Sequence, residues 1–283
     1  MKVLVTGAGG LLAHATLPLL AAAGHDARAL RHADLDVTRL DAFRAAAAEF
    51  RPDWIFHFAA CTRVDDCESD RDRAMLVNGL GSRNAALAAA GCGAALLTLS
   101  SDYVFDGEAV APYREFDAAR PINVYGASKW AGEQAIREVG GRFLIVRTAW
   151  LFGPGGGNFV DAILKKARAG EPLKVVSDQR GSPTYTPDLA AGLLRLAESG
   201  ALGTHHAVSA GDATWHDLAV AAVREAGLSI EIEQIESSAL ARPAKRPAYS
   251  VLDASWFAHV TGRALPDWKD ALRRHVRPHK ETA

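Results

Sequence analysis

Short β-type runs alternate with longer helix-type runs along the first half of the chain. Apolar and β-branched residues cluster at 2–6, 26–31, 54–59, 94–99 and 143–146, which predicts five strands. Apolar residues at helical spacing predict helices at 11–23, 41–50, 70–90 and 125–139. This alternation is typical of a parallel sheet covered by helices on both faces.

The pattern becomes less regular after residue 150, where glycine and proline cluster at 153–157 and 181–183. Helices are still predicted at 188–199 and 215–227. We therefore expect an α/β protein with a Rossmann-type, doubly wound parallel sheet and a smaller, interleaved C-terminal substrate domain. The expected division assigns 1–150 to the domain that contains the parallel sheet, with 184–206 returning to it, and 151–183 and 207–283 to the smaller part.

The composition is that of a globular protein with a large core. The chain has 283 residues, of which 49% are hydrophobic and 23% charged, and its formal net charge is −1. This balance gives no general attraction to nucleic acid or to an anionic membrane, so neither is expected as a partner. Cys61, Cys67 and Cys92 form no C-x-x-C pair, which disfavours a disulfide framework and a zinc site. No targeting or membrane-spanning segment is recognised, and a cytoplasmic location is expected.

A glycine-rich turn, Gly7-Ala8-Gly9-Gly10, follows the first predicted strand and precedes a helix. Glycines there permit a tight turn and close approach to a pyrophosphate, while the helix N-terminus directs N–H groups at the phosphates. The second strand ends at Arg31, where NAD-binding proteins usually have an acidic residue. A cation at that point favours the 2′-phosphate of NADPH. Asp34 and Asp36 follow closely and leave NADH as an alternative.

Tyr125 and Lys129 are four positions apart in a predicted helix and therefore share one face. A nearby ammonium favours the phenolate of a tyrosine, whose ordinary pKa is about 10, and so helps it to exchange a proton at neutral pH. A buried strand ends in Ser100-Ser101-Asp102, which brings hydroxyls to the edge of the sheet where ligands bind. Together with the glycine turn, this set predicts hydride transfer to a carbonyl.

A series of short stretches spreads over nearly the whole chain. They include Ser101-Asp102-Tyr103-Val104-Phe105-Asp106-Gly107 and Arg147-Thr148-Ala149-Trp150, with others at 52–53, 59–65, 77–78, 121–126, 157–160, 178–184 and 246–247. By these stretches and their order, the chain resembles the extended short-chain dehydrogenase/reductase family. Within that family it is similar to the dTDP-4-dehydrorhamnose reductases.

The resemblance implies roles for the matched positions. Tyr125 would donate the proton to the keto oxygen, Lys129 would hold the nicotinamide ribose, and Ser101 would hydrogen-bond the carbonyl. Together with Arg31, the cofactor site would contain Gly7, Gly10, Leu11, Leu12, Asp36, Val37, Ala59, Ala60, Thr62, Asn78, Tyr125 and Lys129. The substrate site would contain Ser101, Asp102, Tyr103, Trp150 and Arg246, whose planar guanidinium suits a diphosphate.

The expected reaction is the NADPH-dependent reduction of a nucleotide-activated 4-keto-6-deoxy sugar, with dTDP-4-dehydro-L-rhamnose converted to dTDP-L-rhamnose as the favoured case. Tyr103 replaces the glutamate with which related 4,6-dehydratases abstract a proton, so dehydration is disfavoured. Reduction or epimerisation of another nucleotide-linked ketosugar is an alternative. A non-catalytic NADP-binding regulatory subunit is a second alternative, and a homodimer is left open.

Some members of the family have a glutamate in the first helix that takes part in magnesium binding. Ala15 occupies that position here, so no metal site is expected. Structural roles are expected for several other residues. His57 is expected to pack within its strand, and Asp65, Asp66 and Glu68 to form a solvated helix start. The core is expected to contain Trp215, Trp256 and Trp268.

Overall fold

The computed structural model describes residues 1–277, so 278–283 of the predicted segment 207–283 lie outside it. The strands are β1 Lys2–Thr6, β2 Asp26–Leu30, β3 Trp54–His57, β4 Ala95–Ser101, β5 Phe143–Thr148, β6 Leu151–Phe152, β7 Leu173–Val176, β8 Arg180–Gly181, β9 Thr184–Tyr185, β10 Gly203–His206, β11 Ser209–Ala210, β12 Ala213–Thr214, β13 Ile232–Ile235 and β14 Leu265–Asp267. The helices are α1 Leu11–Ala22, α2 Leu40–Phe50, α3 Val64–Ser69, α4 Arg71–Ala74, α5 Gly81–Cys92, α6 Val124–Val139, α7 Phe159–Arg168, α8 Thr186–Glu198, α9 Trp215–Glu225, α10 Ser255–Thr261 and α11 Trp268–Val276.

Six parallel strands form the central sheet in the order β10-β5-β4-β3-β1-β2. The chain runs from β1 outward to β2 and then crosses back to place β3 on the other side of β1. Such a reversal opens a crevice at the carboxyl ends of the strands, and this is where open α/β sheets bind ligands. The predicted Rossmann-type, doubly wound sheet is confirmed.

Helices cover both faces of the sheet, and the period-two alternation of β1 divides the core between them. Val3 and Val5 pack on the face covered by α1, α8 and α10, whereas Leu4 packs on the face covered by α2, α5 and α6. Strands that are buried on both faces are apolar throughout, which explains why β1, β3 and β4 read as continuous hydrophobic runs. Strand β10 comes from the segment 184–206 and pairs with β5.

The segment predicted as one helix at 70–90 is helical from Arg71 onward, but its hydrogen-bonding pattern changes in the middle. Six residues, Met75–Leu80, are π-helical and connect α4 to α5. Single π-helical turns are found frequently at functional sites. The side chain of Asn78 projects from this turn toward the loop that follows β3, and both of its polar atoms are used there.

The C-terminal half contributes a second core, in which α7, α9 and α11 pack together. Thr214 caps α9, and its hydroxyl accepts a hydrogen bond from the N–H of Asp217. Trp268 is buried as expected. The expectation for Trp256 is wrong, because Phe257 faces the core from α10 and leaves Trp256 51% exposed beside Phe116.

Every helix within residues 1–277 is too short or too polar to cross a lipid bilayer.

Candidate active site

A cleft of about 1160 Å³ runs along the carboxyl ends of the central strands. Its wall is formed by the glycine turn after β1, the loops after β2 and β3, the ends of β4 and β5, and the first residues of α6. The predicted residues that line it are Gly7, Gly10, Leu11, Leu12, Arg31, Asp36, Val37, Ala59, Ala60, Thr62, Ser101, Asp102, Tyr103, Tyr125, Lys129 and Trp150. Most of the predicted site is therefore gathered around one cleft.

The glycine turn is packed closely against the loop after β3. Gly7 has a φ of +69°, and a Cβ at this position would lie 2.5 Å from the backbone nitrogen of Ala59. Only glycine satisfies both the left-handed conformation and the close approach. Helix α1 then begins at Leu11 with no side-chain cap and no acidic residue in its first turn. Its N-terminal N–H groups and positive dipole end therefore face the cleft and suit a phosphate.

The end of β2 presents a cation to the cleft. Arg31 is exposed and forms no ion pair within residues 1–277. Asp34 accepts a hydrogen bond from the backbone N–H of Arg31, and Asp36 accepts from the hydroxyl and the N–H of Thr38. These hydrogen bonds hold the pKa of Asp36 below its ordinary value. Both carboxylates have local partners, while the Arg31 guanidinium has none among residues 1–277, which fits a 2′-phosphate.

Two elements, β4 and α6, bring the predicted catalytic side chains together. Ser101 ends β4, and Tyr125 and Lys129 lie one turn apart at the start of α6. Asn123 caps this helix by accepting a hydrogen bond from the N–H of Gly126 at 2.7 Å. A Cβ at Gly126 would lie 1.9 Å from the carbonyl oxygen of Tyr103, so this glycine allows α6 to approach the end of β4.

Burial changes the proton affinities of the catalytic groups. It raises the pKa of Tyr125 above its ordinary value, although a hydrogen bond with Ser101 acts in the opposite direction. The Tyr125 phenol is therefore protonated at neutral pH. Burial lowers the pKa of Lys129 to about 8, and the charge of Glu133 partly opposes this effect. Near pH 7 the site thus holds a phenol and an ammonium.

A buried ion pair lies one helical turn below Lys129. Glu133 is 2% exposed and accepts hydrogen bonds from Nε and Nη2 of Arg147 at 2.9 and 2.8 Å. The same carboxylate accepts from the Ser100 hydroxyl at 2.6 Å and from Arg137 at 2.8 Å. Burial opposes ionisation of Glu133, but its contacts with Arg147 outweigh burial and hold its pKa below the ordinary value. The pair joins β4, β5 and α6, the elements that carry the site.

Asn78 lies behind the cleft wall. Its Oδ1 accepts from the Cys61 N–H at 2.8 Å, and its Nδ2 donates to the Cys61 carbonyl at 3.0 Å and to the Ser128 hydroxyl at 2.9 Å. Asn78 therefore joins the loop after β3 to α6 and shapes the cleft indirectly.

His57 is packed at the end of β3, as expected. Its Nδ1 is hydrogen-bonded to the Thr6 hydroxyl at 2.8 Å. Burial lowers its pKa to about 3, and the nearby charge of Lys129 adds to the effect. The imidazole is neutral at physiological pH.

The outer end of the cleft is aromatic. Trp150 adopts a φ of +48°, which is rare for a residue other than glycine, and its ring stacks on Trp215 with centroids 3.7 Å apart. A Cβ at Gly181 would lie 2.5 Å from the Trp150 ring, so the glycine makes room for it. Trp215 and Phe159 line the cleft as well. Trp215 is half-buried and packs against the core of the C-terminal half, as expected, and its stacking on Trp150 places it at the cleft wall as well.

Asp102 is buried beside this aromatic end. Its Oδ1 accepts from the Ser101 hydroxyl at 2.9 Å, and its Oδ2 accepts from the Ser250 hydroxyl at 2.6 Å. Burial raises the pKa of Asp102 to about 6, although these two hydrogen bonds favour the carboxylate. The contact with Ser250 connects the catalytic strand end to the C-terminal segment.

Arg246 lies outside the cleft wall. Its guanidinium binds Asp65 in a bidentate ion pair and also contacts the Tyr103 hydroxyl. Glu68 accepts a hydrogen bond from the N–H of Val124 at 2.8 Å. The expectation of a solvated helix start is therefore wrong for Asp65 and Glu68, because α3 is joined to the C-terminal segment and to α6.

Thr148 was missed by sequence reasoning. It ends β5, lines the cleft and is 5% exposed. A threonine at a strand end carries no pattern of its own, and only its position beside Ser101 distinguishes it.

A nicotinamide dinucleotide fits these residues. The uncapped helix N-terminus suits the pyrophosphate and Arg31 suits a 2′-phosphate. The Thr148 hydroxyl is buried at the Tyr125 end without a hydrogen-bond partner within residues 1–277. The doubly wound sheet, the glycine turn and the Ser101–Tyr125–Lys129 set define an NAD(P)H-dependent oxidoreductase of the short-chain dehydrogenase/reductase class.

Comparisons with known proteins narrow this class. The family model described as the RmlD substrate binding domain matches residues 1–280. The chain is 44% identical over 276 residues to a dTDP-4-dehydrorhamnose reductase of Streptomyces griseus, covering 95% of this chain and 91% of that protein. It is 38% identical over 271 residues to a dTDP-4-keto-6-deoxy-D-glucose reductase of Streptomyces niveus, covering 95% and 94%.

A solved structure agrees with these sequence relatives. The crystal structure of dTDP-4-dehydrorhamnose reductase from Bacillus anthracis in complex with NADP superposes with a TM-score of 0.94, at 35% identity, covering 97% of this chain and 98% of that one. The chain belongs to the dTDP-4-dehydrorhamnose reductase family described by the RmlD model, and the resemblance drawn from the sequence motifs is confirmed.

Proposed function

We propose that this protein reduces a nucleotide-activated 4-keto-6-deoxy sugar with NADPH, and that dTDP-4-dehydro-L-rhamnose is its substrate and dTDP-L-rhamnose its product. The observation that carries the proposal is the arrangement of Ser101, Tyr125 and Lys129 on one cleft that also fits a dinucleotide. The names of the relatives, and the NADP in the structure of one of them, support the same substrate class and cofactor.

Tyr125 would act as the proton donor. Its raised pKa keeps the phenol protonated, so a proton is available for the alkoxide oxygen that forms when a ketone is reduced. Ser101 donates to Asp102 in the ligand-free chain, and it would turn this hydroxyl to the same oxygen and so orient the oxygen toward the phenol. The Lys129 ammonium would then stabilise the phenolate that remains, since an opposite charge nearby favours the ionised form.

NADPH, when bound, supplies the hydride. The residues proposed to hold it are those around the glycine turn, Arg31 at the adenosine end, and Lys129 at the nicotinamide ribose. The aromatic end with Trp150 and Trp215 would receive the sugar, because flat apolar rings pack well against the hydrophobic face of a pyranose.

The proposal divides the chain into two functional parts. Residues 1–150 and 184–206 would form the NAD(P)-binding part, since both contribute strands to the central sheet. Residues 151–183 and 207–283 would form the substrate-binding part, and α10 of this part also packs on the central sheet. The three cysteines are free thiols, which agrees with the proposed cytoplasmic location.

The proposal is tested by the loss of NADPH absorbance when purified protein receives dTDP-4-dehydrorhamnose generated in the same reaction. We expect rapid oxidation by the wild type and a loss of at least about 100-fold in Tyr125→Phe, with unchanged NADPH affinity. Tyr185→Phe is the matched control, because it removes a buried phenol outside the cleft wall and should leave turnover unchanged. Substantial turnover by Tyr125→Phe would remove Tyr125 from its role.

Two alternatives give different results in the same assay. Oxidation with dTDP-4-keto-6-deoxy-D-glucose but not with the rhamnose precursor would point to another ketosugar, as the name of the Streptomyces niveus relative suggests. Binding of NADPH without turnover of any ketosugar would favour the regulatory subunit. The retained Ser101, Tyr125 and Lys129 argue against that second alternative, because a binding module has no chemical use for them.

A further inference from the structure

Thr148 is placed beside the catalytic serine on the neighbouring strand. Strands β4 and β5 are parallel, and Ser101 pairs in register with Thr148. Paired residues of adjacent strands project their side chains on the same face of a sheet. Both residues line the cleft, so two hydroxyls stand side by side at the edge that also receives Tyr125 and Lys129.

The Thr148 hydroxyl lacks a hydrogen-bond partner within the described chain. Its residue is 5% exposed, and its Oγ1 is buried and unpaired. The other buried threonines of the central sheet have partners, because Thr6 is hydrogen-bonded to His57 Nδ1 and Thr98 donates to the His57 carbonyl. The hydroxyls of Ser182, Thr186 and Ser209 are also unpaired within residues 1–277, but these residues lie outside the cleft wall. An unpaired buried hydroxyl destabilises the fold by about 1–3 kcal/mol. Because Thr148 also lines the cleft, its unpaired hydroxyl is suited to a ligand contact there.

The position of Thr148 in the sheet indicates which part of a bound dinucleotide it would contact. Strand β5 is three strands away from β1, which is roughly 14 Å at the usual strand spacing, so the hydroxyl is far from the glycine turn and the pyrophosphate. It lies at the end of the cleft that holds Tyr125 and Lys129. It is also buried at the sheet edge, whereas Tyr103, Trp150 and Trp215 are only half-buried farther out, where the sugar would lie.

We propose that the Thr148 hydroxyl hydrogen-bonds the carboxamide of the nicotinamide and so fixes the orientation of the ring; this rests on the proposed function. The chemistry matches, because a hydroxyl offers one donor and two acceptor positions, and a carboxamide has both an N–H donor and a carbonyl acceptor. Ser101 is less suited to this contact, because its hydroxyl donates to Asp102 and accepts from the Tyr103 N–H. Thr148 is thus a further cofactor-binding residue.

The test compares Thr148→Val, which removes the hydroxyl at nearly constant shape, with Thr148→Ser, which keeps it. Calorimetry would measure the Kd of NADPH and that of adenosine 2′,5′-bisphosphate, which has no nicotinamide. We expect Thr148→Val to weaken NADPH about tenfold and to leave the bisphosphate within about twofold, because one hydrogen bond to the ring is lost. Thr148→Ser should bind both ligands within about twofold of wild type.

A second measurement separates a ligand contact from a structural one. The unfolding midpoint of ligand-free Thr148→Val should be unchanged or higher, because a methyl group replaces an unpaired buried hydroxyl. A lower midpoint would overturn the proposal by showing that the hydroxyl has a partner in the protein. Equal weakening of both ligands, or no weakening of NADPH, would also overturn it.

Failure of the Thr148 proposal can be distinguished from failure of the proposed function. If Thr148→Val keeps its NADPH affinity but raises the KM for the ketosugar, the hydroxyl faces the sugar; the carboxamide contact is then wrong and the reductase remains. If wild-type protein fails to bind NADPH, both proposals fail together.

Discussion

The Arg246 guanidinium donates two hydrogen bonds to the Asp65 carboxylate, from Nη1 to Oδ1 at 2.6 Å and from Nη2 to Oδ2 at 2.7 Å. The two residues are 181 positions apart and join the C-terminal segment to α3, next to the loop that lines the cleft. The ion pair lowers the pKa of Asp65. The Arg246 side chain is 8% exposed and that of Asp65 is 38% exposed, so water reaches the carboxylate but hardly the guanidinium. Arg246 therefore supports the proposed sugar end of the cleft through Asp65 and Tyr103.

We predict that Arg246→Ala lowers the free energy of unfolding by about 1–3 kcal/mol, because charge-assisted hydrogen bonds are lost and Asp65 is left without its partner. The change is measured by urea denaturation. It should also raise the KM for the ketosugar more than the Kd for NADPH, because the loosened segment contacts Tyr103. Arg242→Ala is the matched control, since Arg242 is exposed on the same loop. Equal stability of the two variants would contradict the prediction.

Arg31 provides the test of cofactor choice. Replacing it with alanine should weaken NADPH by about 10- to 100-fold and leave NADH within about twofold, because a charge-assisted contact to a 2′-phosphate exists only for NADPH. Arg44→Ala, which removes an exposed arginine from α2 outside the cleft wall, should change neither affinity. The comparison requires the Kd of both cofactors for all three proteins. Similar losses for NADPH and NADH in Arg31→Ala would rule out the 2′-phosphate contact.

The lowered pKa of Lys129 predicts a pH dependence. The ammonium is lost as pH rises through about 8, so kcat/KM for ketosugar reduction should fall above that value. Between pH 8 and the ordinary lysine value the unfolded chain binds a proton that the folded chain has released, so stability from this group rises with pH in that window. Lys129→Arg stays charged and should move the falling limb to higher pH. A rate that stays level from pH 7 to 9 would contradict the assignment.

The Glu133–Arg147 pair predicts a large stability effect at one position of α6. Glu133→Gln should lower the free energy of unfolding by roughly 3–5 kcal/mol, because it leaves the 1% exposed Arg147 without its counter-charge. Glu138→Gln, an exposed glutamate on the same helix, should cost less than about 0.5 kcal/mol. Chemical denaturation of both variants measures the difference. Equal midpoints would show that Arg147 finds another partner.

The central sheet and the catalytic pair were predictable because their signals are local. Hydrophobic periodicity located β1 to β5 and their covering helices, and the spacing of Tyr125 and Lys129 sets one helical face whatever the rest of the fold does. The glycine turn is similarly local, since the φ of Gly7 depends on a few neighbouring residues. Element ends shifted by one or two residues where contacts come from other segments, as at Val124, whose N–H donates to Glu68.

Other features depended on contacts between distant parts of the chain. Arg246 pairs with Asp65, and Trp215 is placed at the cleft wall by stacking on Trp150. The Thr148 hydroxyl is unpaired because no donor or acceptor from another part of residues 1–277 reaches it. Spacing along a chain encodes helices, strands and turns because their hydrogen bonds join near neighbours. Which side chain meets which across the fold follows from how those elements pack, and only the folded chain reveals it.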